Sequence, residues 1–179
     1  MVVKRLKTLY LYFWLYAVLG WIYEVFLETV VYQWGFSNRG FLFGPYCPVY
    51  GFGAVLILLV LGPLRKKRIL VGKINITPLL VFIGIVVLTT TVELLTSYLM
   101  EWTTGGWLWD YRSYPFHFQG RIALNPSIRF GIGGMVILYG LQPLLEKMRN
   151  KMGEQRWNTA STVLFIVMMA DFIWKIWKG

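Results

Sequence analysis

Two sets of residues in this chain carry the means for chemistry. Gly20, Glu24 and Glu28 recur every four residues, and Thr89, Glu93, Ser97 and Glu101 repeat the spacing later on. In a helix such residues share one face, so each set is a polar stripe, and the small Gly20 admits a close neighbour. Both stripes lie inside apolar stretches. A charged side chain at mid-membrane costs about 2.5–3.5 kcal/mol, so Glu24 and Glu93 need a partner or a watered cavity. The stripes can bind substrate or couple protons. The plainer reading is an ion pair or interhelical hydrogen bond that serves packing alone.

Candidate partners are arginines in the segments that follow. Arg39 stands beside Asn38 in NRGFLFGP, Arg112 follows Asp110 in GGWLWDYR, Arg121 lies in PFHFQGRIALNPS, and Arg129 opens the next apolar run. With backbone NH groups freed by glycine turns, such a set can hold a carboxylate or phosphate. It can equally neutralise the glutamates. Glu24, Glu28, Glu93, Glu101, Asp110 and Asp171 outnumber these four arginines, which leaves a cationic substrate or a proton open. Glu93 is expected to share a cavity with Glu24 and to be held by Arg121. Tyr50, Asp110 and His117 complete the candidate set. His117 with Cys47 is a weak case for a thiol mechanism, because nothing fixes their distance. One histidine and one cysteine also fall short of the four ligands zinc takes, so no metal and no cofactor is expected.

The run NRGFLFGPYCPVYGFG, residues 38–53, is rich in glycine and proline, which cost a helix about 1 and about 3 kcal/mol relative to alanine. It is expected to be irregular backbone, tolerated at membrane depth only under cover of protein or a wet cavity. Its glycines would let backbone approach a ligand and neighbouring helices.

The elements that must position these residues follow from composition. With 57% hydrophobic and 15% charged residues and a mean hydropathy of +0.56, the chain is a membrane protein. Runs long enough to cross the bilayer fall near 9–34, 49–64, 78–102, 128–145 and 157–177, within one integral membrane domain spanning 1–179. The first run follows Lys4, Arg5 and Lys7 but is too long for a signal peptide and has no small-residue cleavage site. A single cysteine excludes an intramolecular disulfide. Twelve of the eighteen Lys and Arg residues fall at the N-terminus and in the 64–77 and 146–156 loops. By the positive-inside rule these segments are cytoplasmic and the C-terminus is external. The net charge of +10 therefore reads as topology, with RKKR at 65–68 touching anionic lipid and no role in nucleic-acid binding. The Asn75-Ile76-Thr77 sequon falls on the cytoplasmic side and is discarded. GIGGMVILYG at 131–140 marks tight helix packing. The first and third runs each carry an acidic face, then a glycine- and aromatic-rich loop with arginine, then a return helix. That order suggests a hairpin pseudo-repeat with a fifth helix added.

Several of these segments carry a resemblance. LGWIYEVFLETV, NRGFLFGPYCPVYGFG, VELLTSYLMEW and WDYRSYPFHFQGRIAL resemble the bacterial membrane-protein family described as putative ABC-transporter type IV, or CmpB-like, from about Gly20 to Pro143. The resemblance implies a multi-pass protein of the bacterial plasma membrane with a transport label. It brings no catalytic residues.

No GxxxxGK[ST] phosphate loop is present, so ATP hydrolysis by that route would need a separate ATPase subunit. The reading is an all-α protein of five transmembrane helices, acting as a small transporter or substrate-binding component rather than an enzyme. Its polar cavity would lie in the outer leaflet, with Glu24, Glu28 and Glu93 as the working carboxylates and Arg39 and Arg121 beside them. The lipid bilayer is a partner, and a second copy of the chain is a candidate one. The alternatives are a membrane enzyme acting on a lipid or isoprenoid headgroup and a structural or regulatory subunit.

Overall fold

The computed structural model describes residues 2–107 and 109–178, so Leu108 of the GGWLWDYR segment and both terminal residues lie outside the described residues. Among the described residues five helices are long and apolar enough to cross a membrane: α1 (Val2–Val31), α2 (Pro48–Arg65), α3 (Thr77–Thr104), α4 (Leu124–Met152) and α5 (Glu154–Lys178). Large apolar side chains such as Leu95, Val87 and Ile166 stand exposed along them, as lipid-facing residues of a membrane protein do. Two short antiparallel ribbons complete the fold, β1 (Leu70–Val71) with β2 (Ile74–Asn75) and β3 (His117–Phe118) with β4 (Ile122–Ala123).

Helix boundaries differ from the expected spans for local reasons. α1 ends at Val31 in a π turn, Leu27–Val31, where the Trp34 amide donates to the Glu28 carbonyl and Gln33 and Gly35 take positive φ. α4 runs on through the basic stretch to Met152 and stops at Gly153, φ +78°. The last six residues of the glycine-rich run are helical and not irregular, because α2 begins at Pro48, whose fixed φ and missing NH suit a first helical position. Gly51 and Gly53 therefore sit inside a helix.

Contacts divide the chain into two compact units, Met1–Leu56 with Leu144–Gly179, and Ile57–Pro143. In the first unit α1 packs along α5. The Tyr10 hydroxyl donates to the Leu164 carbonyl at 3.1 Å, Ser161 donates to the Lys7 carbonyl at 2.8 Å, and Tyr10 meets Phe165 edge-on. Phe13, Ala17, Leu42, Tyr46 and Met168 form the core of this unit.

In the second unit α3 packs on the N-terminal part of α4. Thr90 donates to Ser127 at 2.8 Å, and Gly131 and Gly134 receive the side chains of Phe82, Val86 and Ile85. Ile57, Leu61, Val81, Ile85 and Leu138 form its core. A π segment, Val136–Leu141, interrupts α4. Such segments disturb the regular ladder, and here Nη1 of Arg65 donates to the Leu138 carbonyl at 2.6 Å.

Candidate functional site

In the first unit the α1 stripe meets the glycine-rich loop. A Cβ on Gly20 would overlap the ring of Tyr50, so this glycine is where α2 can approach. The Tyr50 hydroxyl then reaches the carboxylate of Glu24, one turn further along α1. Glu28 lies another turn on and is buried, at 7% exposure. Ser37 donates to both its oxygens, at 2.9 and 2.8 Å, and Arg39 Nη2 stands 2.9 Å from Oε1. Arg39 is thus paired with Glu28 through Nη2, and its buried Nε has no hydrogen-bond partner among the described residues. Asn38 accepts from the Trp21 indole and donates to the Phe43 carbonyl, both at 2.8 Å, tying the loop to α1 and to itself.

The far side of the loop is held by Asp171 of α5, one of the six acids that outnumber the arginines. It accepts from the amides of Phe43 at 3.2 Å and Gly44 at 2.8 Å and from the Tyr46 hydroxyl. Burial first, then this bond to Asp171, pushes the Tyr46 phenol well above its ordinary range. At the end of the loop the Cys47 amide donates to the Ala17 carbonyl at 2.9 Å. The thiol is buried at 4% exposure. Burial and the neighbouring Glu24 push it up, and Arg39 opposes them. Between these braces lies a cavity of about 580 Å³, whose lining includes Glu24, Arg39 and Tyr50 among apolar side chains such as Phe13, Phe52 and Met168.

The second unit holds the other candidates. Glu93 accepts from the Tyr111 hydroxyl at 2.7 Å through Oε1, while Oε2 is buried with no hydrogen-bond partner among the described residues. Burial and the contact with Glu93 raise the Tyr111 phenol above its usual range. Arg121 does not hold Glu93, contrary to expectation. Its Nη2 lies 2.5 Å from Oε2 of Glu101, Nη1 is 3.4 Å from the hydroxyl of Ser97, and the rings of Tyr98 and Trp107 cover the guanidinium at 4.2 and 3.9 Å. The reason is reach. Glu101 is eight residues, about 12 Å of helix, beyond Glu93, in the last turn of α3 where the loop departs.

The remaining residues make lesser contacts. Asp110 and Arg112 form an exposed pair at 3.7 Å, with Asp110 also accepting the Arg112 amide. His117 accepts the Gly120 amide at 3.2 Å within the β3–β4 turn. Among the described residues no group of three His, Cys, Asp or Glu is placed to hold a metal ion.

The structure therefore brings Glu24, Glu28, Asn38, Arg39 and Tyr50 into one unit and Glu93, Asp110, His117 and Arg121 into the other. The residues that sequence reasoning passed over are Asp171, Ser37, Tyr46 and Tyr111. Asp171 had a visible signal, as a lone acid in the apolar run MMADFIW. No curated protein and no solved structure matches the chain. The family described as Putative ABC-transporter type IV matches residues 11–176, and the chain belongs to it.

Proposed function

We propose that this protein is the ligand-binding or translocating membrane component of a small ABC-type transport system, with its ligand received in the cavity beside Glu24. The observation that carries the reading is that cavity. At about 580 Å³ it has the size of a small-molecule site. It is mainly apolar with a few polar groups, and its rim is a loop fixed from both sides, by Asn38 and by Asp171. Rigid backbone around a cavity is how membrane carriers present irregular segments to substrate. Glu24 is then the carboxylate that meets the ligand, and the Arg39–Glu28 pair forms the fixed polar wall. Glu93 serves separately as a candidate proton-coupling carboxylate.

On this reading energy coupling falls to a separate ATPase subunit, which the family's transport label suggests. The family resemblance supports a bacterial plasma-membrane protein, and the distribution of Lys and Arg supports an N-terminus in the cytoplasm and a C-terminus outside.

The test uses native mass spectrometry of the whole protein extracted in mild detergent, beside Met169→Trp, which fills the cavity. A co-purifying small molecule on the wild type, absent from the variant at unchanged melting temperature, is the expected result. Uptake of that molecule into proteoliposomes then distinguishes a carrier from a binding subunit. Its conversion to a product would replace this reading with an enzyme.

A further inference from the structure

We infer that the cavity of the first unit takes a lipophilic organic cation, an inference that rests on the cavity being the ligand site. The argument starts from charge. Two of its polar lining groups are Arg39 and Glu24. Arg39 is neutralised by Glu28 at 2.9 Å, and that carboxylate is buried and held again by Ser37. Glu24 has a hydroxyl partner in Tyr50 and, among the described residues, no ion-pair partner. The polar wall therefore presents net negative charge to whatever enters.

An anion could reach only the donors of Arg39 that Glu28 leaves over, beside a charge already offset, and would stand against the like charge of Glu24. A cation breaks nothing. A carboxylate has about four lone-pair sites, so Glu24 can keep the Tyr50 hydroxyl and still accept an ammonium.

The apolar lining fits the same occupant. Phe13, Phe41, Phe52 and Phe172 line the cavity, and aromatic rings attract cations through their faces. The protein already uses this loop so. Nζ of Lys175 stands over the rings of Phe43 and Phe41 at 4.8 and 5.7 Å. A molecule with a delocalised or substituted cationic centre and apolar arms satisfies the carboxylate and the rings together.

The experiment is equilibrium dialysis of the full chain in nanodiscs with tetraphenylphosphonium and with tetraphenylborate, which share a shape and differ in sign. Wild-type protein is expected to bind the cation saturably and to leave the anion unbound. Glu24→Gln should weaken the cation by about tenfold or more, since a charge contact in a low-dielectric site is lost. Gly53→Ala, on α2 with nothing within 4 Å of an added Cβ, should keep binding, and an unchanged melting temperature of Glu24→Gln guards against reading a folding defect as a binding one. Met169→Trp should abolish it. Undiminished cation binding by folded Glu24→Gln overturns the inference. Saturable binding of tetraphenylborate alone, blocked by Met169→Trp, overturns the cation class and leaves the cavity standing. If neither probe saturates, or Met169→Trp changes nothing, the cavity itself falls.

Discussion

Nη2 of Arg121 and Oε2 of Glu101 stand 2.5 Å apart, with the arginine side chain 6% exposed and the glutamate 45% exposed. The asymmetry has an energetic consequence. Removing Glu101 strands a buried cation between Tyr98 and Trp107, whereas removing Arg121 leaves a carboxylate that water can reach. Glu101→Gln is therefore expected to destabilise by about 1–3 kcal/mol, below the full cost of breaking a buried pair because of that exposure. Arg121→Met, which keeps the packing between the rings, should cost less. Melting temperatures of the two variants and their double should show recovery in the double. Glu93→Gln combined with Arg121→Met should be additive within about 0.5 kcal/mol. A strong coupling between Glu93 and Arg121 would contradict the pairing described.

Asp171 holds the loop through two backbone amides and one phenol. Asparagine keeps the size but loses the charge, and its amide can face the donors with only one oxygen. Asp171→Asn should loosen residues 38–47 by about 1.5–3 kcal/mol, the range for hydrogen bonds to charged groups. Tyr46→Phe, losing one of the three, should do less. Hydrogen exchange of the Phe43 and Gly44 amides is the readout, and equal protection in wild type and Asp171→Asn would refute the role.

How much of this was legible beforehand depends on the scale of the signal. Five spans and both stripes follow from period and hydropathy, which are written in residue types. Glu24 and Glu28 carry adjacent turns of one face, so their joint placement was visible as well. Their partners were not. The Tyr50–Glu24 contact depends on α2 beginning at Pro48 and on the notch at Gly20, and neither propensity nor charge counting gives a helix register. The same holds for Arg121. Position along the chain put it near the end of α3, but the choice between Glu93 and Glu101 is set by the β3–β4 turn and the two rings. Asp171 was missed because its partners are mainly backbone amides, which look alike in every sequence.

Cys47 bears on the topology proposed above. Its thiol is buried and pushed up by burial and by Glu24. A raised value means less thiolate at any pH below it, and the thiolate is the reactive form. Maleimide modification of the folded protein should therefore be much slower than of the urea-unfolded chain, from pH 7 to 9, with the gap closing as pH rises. In a Cys47→Ser background, an impermeant maleimide on intact cells should label Phe36→Cys and spare Lys67→Cys. Labelling of Lys67→Cys alone would reverse the proposed orientation.

Gly51 and Gly53 share one helix and differ in what surrounds them. A Cβ on Gly51 would stand 2.5 Å from the carbonyl oxygen of Phe13 and 2.6 Å from its ring, whereas one on Gly53 meets nothing within 4 Å. Backbone cannot step aside as a flexible side chain can, so Gly51→Ala must push α2 away from α1. That movement would also displace Tyr50, next in sequence, from Gly20 and Glu24. Gly51→Ala is expected to cost about 1–3 kcal/mol, as overpacking does, and to weaken ligand binding with it. Gly53→Ala should be neutral or stabilising by up to about 1 kcal/mol, the helix penalty that glycine carries. Melting temperature together with cation binding separates the two. If Gly53→Ala lost binding while Gly51→Ala kept it, α2 would have to meet α1 through a different face.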